Sequence, residues 1–317
     1  MDVVSIGETM VVFTPVFPGK MRCADSFSAK VAGAESNTMI ALSRLGYATK
    51  WISQVGDDEF GEKILFQLRG ERVDVNDVIK TKETTGLIFK QRLNSAQVQV
   101  SYYRKGSAAS KINELLIMKA LPKQAKCVYI TGITPALSGT CREAIHAAIR
   151  LARERQQLII FDPNIRRSLW SESEARKELL YLAGESDVIL PGKSEAEFLL
   201  GKNTPERWLD QFLSLGAATV ILKDGSKGAF YKSGGSQGFV PGFSVNELVD
   251  PVGAGDAFAA GVISGILDGL SWEQSTRRGC AMGALAVTAV GDTEGLPENK
   301  QELQAFMDQK ESEDVTR

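Results

Sequence analysis

From about residue 110 onward, short β-branched apolar runs alternate with longer stretches in which apolar positions recur at helical spacing. Cys127-Val128-Tyr129-Ile130-Thr131, Leu158-Ile159-Ile160-Phe161-Asp162, Asp187-Val188-Ile189-Leu190 and Thr219-Val220-Ile221-Leu222-Lys223 read as strands. Helical periods fall between and after them, over Ser138 to Gln156, Glu172 to Ala183, Ser194 to Leu200 and Pro205 to Leu215. Continuous apolar runs separated by helices are the pattern of parallel strands buried on both faces and joined by crossovers. The predicted fold class is α/β, a three-layer α/β/α sandwich, with Val3-Val4-Ser5-Ile6 as the first core strand.

Two stretches break that rhythm. Phe13 to Val31 and Thr85 to Arg104, the latter with a turn at Asn94-Ser95, read as antiparallel strands and hairpins. They are expected to form a small β-sheet lid, inserted from about residues 10–32 and 84–106 into one domain over 1–310. Such a flap could cover a site and exclude water, or pair with a second subunit; the plain alternative is an edge hairpin. Residues 311–317 are highly charged and are expected to fray.

Composition narrows the chemistry. The chain has 317 residues, 43% hydrophobic and 24% charged, with a formal charge of −2. That balance argues against a nucleic-acid or membrane surface built on a basic field. No run reaches the roughly 18 apolar residues of a membrane span. Met1-Asp2-Val3-Val4-Ser5-Ile6-Gly7 lacks the basic start and apolar core of a secretory leader. Cys23, Cys127, Cys141 and Cys280 are scattered without a Cys-x-x-Cys pair, so reduced thiols and a cytoplasmic location are expected. His146 is the only histidine, which removes His-based triads and multi-His metal sites. Chemistry must come from carboxylates, lysine, arginine, tyrosine and backbone amides.

The stretch Asp250-Pro251-Val252-Gly253-Ala254-Gly255-Asp256-Ala257-Phe258-Ala259-Ala260-Gly261 offers such chemistry. A helix beginning near Gly255 would aim free amides and its positive dipole end at one point, an anion site most often used for phosphate. A carboxylate in that place would repel the anion unless it serves as a base toward the attacking hydroxyl. Taken alone, Gly-Ala-Gly-Asp is explained at least as well by an acidic residue favoured at a helix start. A dinucleotide fingerprint would need Gly at 258, where Phe258 stands. A second glycine loop, Val31-Ala32-Gly33-Ala34-Glu35-Ser36-Asn37, carries side chains able to bond polyol hydroxyls, and a simple helix start is an equal reading.

Together these two loops resemble the paired signatures of the PfkB carbohydrate kinase, or ribokinase-like, family, in family order from residue 3 to about 305. Within it, the chain is most similar to kinases of the sugar acid 2-keto-3-deoxygluconate. Besides Gly33 to Asn37, that similarity rests on Tyr102-Tyr103-Arg104-Lys105-Gly106-Ser107-Ala108 and Ile130 to Leu137. It rests equally on Asp162-Pro163-Asn164-Ile165-Arg166 with Leu169-Trp170, and on Asp250 to Gly253. The resemblance implies an enzyme that phosphorylates the terminal hydroxyl with ATP and Mg²⁺. Asp256 would be the base, beside a charge-stabilising cradle of Gly253, Ala254 and Gly255. The sugar would meet Gly33, Ala34, Glu35, Ser36, Asn37 and Asp292, the last following a helix from Met282 to Val290. Tyr102, Tyr103 and Arg104 would descend from the lid. Arg104 and Arg166 suit an acid substrate, because a carboxylate calls for charge-assisted donors. The nucleotide would border Asn164, Lys223, Gly225, Ser226, Lys227 and Gly228, and a homo-oligomer would form through the lid.

Two positions depart from the family pattern. An Asn-x-x-Glu element is represented by Gly192-Lys193-Ser194-Glu195, which keeps the glutamate for an indirect, water-mediated role at Mg²⁺ and loses the asparagine. The Gly-Lys-Ser there is no Walker loop, since Asp187 stands where the first glycine would be. In the lid, Ile88 and then Phe89 occupy the place of a common tyrosine. Fructose or ribose kinase activity, or a sugar-sensing module without catalysis, remain as alternatives. Gluconate versus galactonate configuration and any monovalent-cation dependence stay open.

Overall fold

Strands form where the apolar runs lie. In the computed structural model, which describes residues 1–92 and 98–315, they are, in chain order, β1 (Val3–Ile6), β2 (Met10–Pro15), β3 (Phe27–Ala32), β4 (Thr49–Ile52), β5 (Gln54–Gly56), β6 (Ile79–Thr81) and β7 (Leu87–Arg92). There follow β8 (Val98–Tyr103), β9 (Cys127–Thr131), β10 (Leu158–Asp162), β11 (Val188–Ile189), β12 (Thr219–Lys223), β13 (Gly228–Ser233) and β14 (Ser236–Pro241). The main sheet has eight strands in the order β14-β13-β12-β11-β10-β9-β1-β4. From β4 to β12 neighbours are parallel, as expected. The β13–β14 hairpin adds an antiparallel edge, so the sheet is mixed rather than wholly parallel.

Alternate residues of each central strand enter opposite cores. Val3, Tyr129, Ile160, Val188 and Ile221 pack under helices Ala34–Arg44, Ala254–Leu267 and Trp272–Ala286. Val4, Val128, Ile159, Ile189 and Val220 pack under helices Gly139–Glu154, Glu172–Gly184 and Pro205–Leu215. That is the three-layer sandwich. Helix starts fall where their caps stand: Ser138 accepts from Cys141 N–H at 3.1 Å, Ser171 forms a capping box with Glu174, and Thr204 precedes Pro205.

The lid is a four-stranded sheet in the order β3-β2-β7-β8. Its outer pairs are antiparallel, but β2 and β7 run parallel, because the core elements between them return the chain in the same direction. The turn at Asn94-Ser95 lies outside the described residues. Two helices also differ from expectation. Trp272–Ala286 replaces the helix expected over Met282 to Val290, and Lys300–Val315 extends past residue 310. Among the described residues no helix is long and apolar enough to cross a membrane.

Candidate active site

The carboxyl ends of β1, β10 and β12 deliver Gly7-Glu8, Asp162 and Lys223 to one edge of the sheet, where open α/β folds place ligands. A cavity of about 450 Å³ opens there, roofed by the lid. On its floor the helix Ala254–Leu267 starts after Gly253, whose φ is +80°. A Cβ on Gly253 would stand 2.4 Å from the Asp292 carbonyl oxygen, so both backbone angle and space call for glycine. Ala257 N–H bonds back to the Gly253 carbonyl at 2.9 Å, which leaves the amides of Ala254, Gly255 and Asp256 without intrahelical acceptors. Gly253, Gly255 and Asp256 line the cavity, with the positive end of the helix dipole beside them.

Asp256 does not cap its own helix. Asn37 Nδ2 donates to Asp256 Oδ2 at 2.9 Å and to Asp292 Oδ2 at 3.0 Å, so one amide spans two carboxylates from distant parts of the chain. Burial pushes the Asp256 carboxyl up to about 8. Its bond from Asn37 opposes that rise, the charges of Asp292 and Asp162 add to it, and Arg166 draws it down. Asp292 is raised for the same first reason, burial, against the pull of Asn37 and Lys90. A carboxylate poised near neutrality beside anion-seeking amides suits proton abstraction from an attacking hydroxyl.

The lid supplies the roof by strand alternation. Ile88 and Lys90 of β7, and Val100, Tyr102 and then Arg104 from β8, face the cavity. Tyr103 and Phe89 face the other way, with rings 5.5 Å apart and Phe13 stacked on Phe89 at 5.3 Å. Arg104 Nε donates to Glu8 Oε2 at 2.7 Å, and Ser107 Oγ donates to Glu8 Oε1 at 2.5 Å. Glu8 therefore orients Arg104 and neutralises part of its charge. Arg166 makes no ion pair among the described residues; its Nη1 reaches only its neighbour's carbonyl, at 3.4 Å.

The floor opposite the lid is a charged relay. Lys223 Nζ donates to Asp162 Oδ2 at 2.7 Å. Burial lifts Asp162 to about 6 against the Lys223 charge, while Glu195 pushes it further up. Lys223 is raised as well: Asp162 and Glu195 outweigh the opposing effect of burial. Glu195 accepts from Ile165 N–H at 2.9 Å and Gly192 N–H at 2.8 Å, which pins the loop carrying Asn164 and Arg166. Asn164 is held at φ +37°, an unusual angle for a non-glycine residue and one that concentrates at functional sites.

Gly33, Ala34, Asn37, Tyr102, Arg104, Asn164, Arg166, Glu195, Lys223, Gly253, Gly255, Asp256 and Asp292, all candidates from the sequence, are brought together in the lining of the cavity. Others do not. Glu35 is fully buried behind the loop, accepting from Thr131 Oγ1 at 2.7 Å and Thr134 Oγ1 at 2.8 Å, with burial raising its carboxyl. Ser36 does not line the cavity; its Oγ donates to the Gly33 carbonyl at 3.0 Å and accepts from Thr9, so its hydroxyl is engaged within the turn. Tyr103, 66% exposed, is on the wrong face of its strand. Ser226, Lys227 and Gly228 lie against Pro241-Gly242, and they, Gly225 and Ala254 lie outside the cavity wall. Among the charged lining residues, Glu8 and Lys90 were missed by motif reading and Asp162, though part of a quoted motif, was given no role; period-2 alternation from Ile88 would have found Lys90.

Comparison with known proteins fits this geometry. Residues 1–299 match the model of the pfkB family carbohydrate kinases. A 2-dehydro-3-deoxygluconokinase from Bacillus subtilis is 42% identical over 310 residues, 97% of this chain and 95% of its own. The crystal structure of a PfkB protein from Polaromonas superposes with a TM-score of 0.88 at 36% identity, covering 96% of this chain and 99% of that one. A protein described as a ribokinase II from E. coli, in complex with ATP and Mg²⁺, gives 0.89 at 28% identity, over 97% and 99%. The family match spans most of the chain and the relatives are covered over nearly their whole length, and the chain belongs to the pfkB family of carbohydrate kinases.

Proposed function

We propose that the protein transfers the γ-phosphoryl group of ATP to the terminal hydroxyl of 2-dehydro-3-deoxygluconate, giving the 6-phosphate and ADP. The observation that carries this reading is the buried Asp256 carboxylate beside the unpaired amides of Gly255 and its neighbours. Asp256 takes the hydroxyl proton as the sugar oxygen bonds to phosphorus; the bond from phosphorus to the bridging oxygen breaks, and ADP leaves. The amides at the helix start hold the charge on the transferring oxygens. Asn37 and Asp292 keep the base in place, and the lid excludes water. Arg166 and the Glu8-oriented Arg104 are the donors for the substrate carboxylate.

Among the described residues, no group of three or more His, Cys, Asp or Glu forms a cage for a metal ion. A hard cation such as Mg²⁺ keeps waters and takes phosphate oxygens, so Asp162 and Glu195, acidic and facing the cavity, suit it through water. When bound, it would neutralise phosphate charge. The loop Gly225 to Gly228 would border the nucleotide from outside the cavity wall. A cytoplasmic location accords with free cysteines, three of them buried, with Cys127 and Cys280 pushed by burial up to about 12. The open lid edges β3 and β8, with Phe27 and Tyr103 exposed, suit pairing with a second copy.

A coupled ADP-release assay over 2-dehydro-3-deoxygluconate, fructose and ribose, with and without Mg²⁺, tests the substrate. The acid should be turned over with the highest kcat/KM. Arg166→Ala should lower that value on the order of 10- to 100-fold for the acid, the effect of a charge-assisted pair, and little for a neutral sugar. Equal losses on both sugars would defeat carboxylate recognition.

A further inference from the structure

Lys90 enters the chemistry described so far only as a charge acting on Asp292. It stands on the inner face of β7 and forms the wall between the catalytic cavity and a second one of about 350 Å³. Lys90 Nζ donates to Asp250 Oδ2 at 2.9 Å, with the Lys90 side chain 18% exposed and that of Asp250 3%. Asp250 Oδ1 in turn accepts from Val252 N–H at 3.3 Å. One carboxylate therefore joins the lid to the segment leading into Gly253 and the free amides. A second lid lysine grips the neighbouring loop: Lys30 Nζ donates to the Val290 carbonyl at 2.8 Å and to Glu294 at 2.5 Å. The two gripped loops touch, because Gly253 lies against the Asp292 carbonyl. The lid and the phosphate cradle are thus fastened at two points, and of the two fastenings only that of Lys90 runs directly into the cradle's own backbone.

We propose that Lys90 is a positioning residue for phosphoryl transfer. Through Asp250 it sets residues 251–253, so that the helix-start amides take their working place only while the lid is down. A nucleotide bound without sugar then meets a cradle that is not fully set. This inference rests on the kinase reading but not on the identity of the sugar. Its test uses whichever sugar the wild-type enzyme turns over, so a wrong substrate assignment leaves the comparison intact.

Steady-state kinetics of Lys90→Ala, Lys90→Arg, Asp250→Asn and the Lys90→Ala/Asp250→Asn pair provide that test. Lys90→Ala and Asp250→Asn should each lower kcat on the order of 10- to 100-fold, the effect of misplacing a reacting group by about an ångström. KM for ATP and sugar should stay within about threefold, since the lost interaction acts on the transition state. The double variant should be no slower than the slower single one, because the two residues act as a unit. Lys90→Arg, which keeps the charge, should recover most of the loss. The proposal is overturned if the single losses multiply in the double variant. It is equally overturned if Lys90→Ala keeps its kcat while sugar KM rises, which would make Lys90 a direct substrate contact. If Asp250→Asn fails to fold, the lysine pair still decides: recovery in Lys90→Arg supports the linkage, and equal losses in Ala and Arg overturn it.

Discussion

At the residue scale the site is governed by a crowd of carboxylates around one amide. Asp256 rises to about 8 because burial and Asp292 favour its neutral form more than Asn37 can oppose. Only the ionised form accepts a proton, so kcat/KM should climb with pH through about 8 on its acid limb. Asn37→Ala should shift that limb to higher pH; a pH–rate profile unmoved by the change would show that Asn37 does not tune the base. The same shift has a stability consequence. An acid whose folded value lies above its unfolded one binds more protons when folded, so stability falls as pH rises from about 4 to about 8. Asp256→Asn should therefore melt higher than wild type at pH 8, by roughly 1–3 °C for ~1–2 kcal/mol in a chain of this size. The gap should close below pH 4. A variant that melts lower at pH 8 would mean the carboxylate is stabilising where it lies.

At the element scale, sequence and structure part company in instructive places. Core strands such as Cys127–Thr131 and Thr219–Lys223 were legible because burial on both faces forces uninterrupted apolar runs. The β13–β14 hairpin was not, since edge strands need only half-apolar patterns and Phe239 remains 45% exposed. The lid's parallel β2–β7 pairing was hidden because pairing direction depends on what the intervening chain does. The helix start at Ala254 was legible from its glycines, and its geometry is a demanding one. Gly253→Ala should lower turnover by at least 10-fold, as expected when a cradle is displaced, and lower Tm by several degrees. A Cβ there meets the Asp292 carbonyl at 2.4 Å in a left-handed backbone. Unchanged kinetics in that variant would show that the cradle does not depend on the 253–292 contact.

On the scale of the whole molecule, the sheet edge collects groups that are far apart in sequence, 255 positions in the Asn37–Asp292 bond. Motif spacing could mark Asp256, Asn37 and Arg166 as candidates, but could not show that Asn37 bridges two carboxylates. Nor could it show that Glu35 turns into the core toward Thr131 and Thr134, or that Glu8 pairs with Arg104. Those are tertiary facts, set by which strand face each residue lands on. If the exposed lid face joins two copies, sedimentation should give a dimer that Tyr103→Asp dissociates, because a charge opposed to an apolar partner is left unpaired. A monomer at all concentrations would confine the lid to covering its own cavity. The most direct test of the account is single-turnover phosphoryl transfer by Asp256→Asn with the sugar acid and saturating ATP, alongside a measurement of ATP binding. Loss of on the order of 10² to 10⁴ in rate with ATP affinity retained is the predicted result for a positioned base. Transfer at close to the wild-type rate would contradict it.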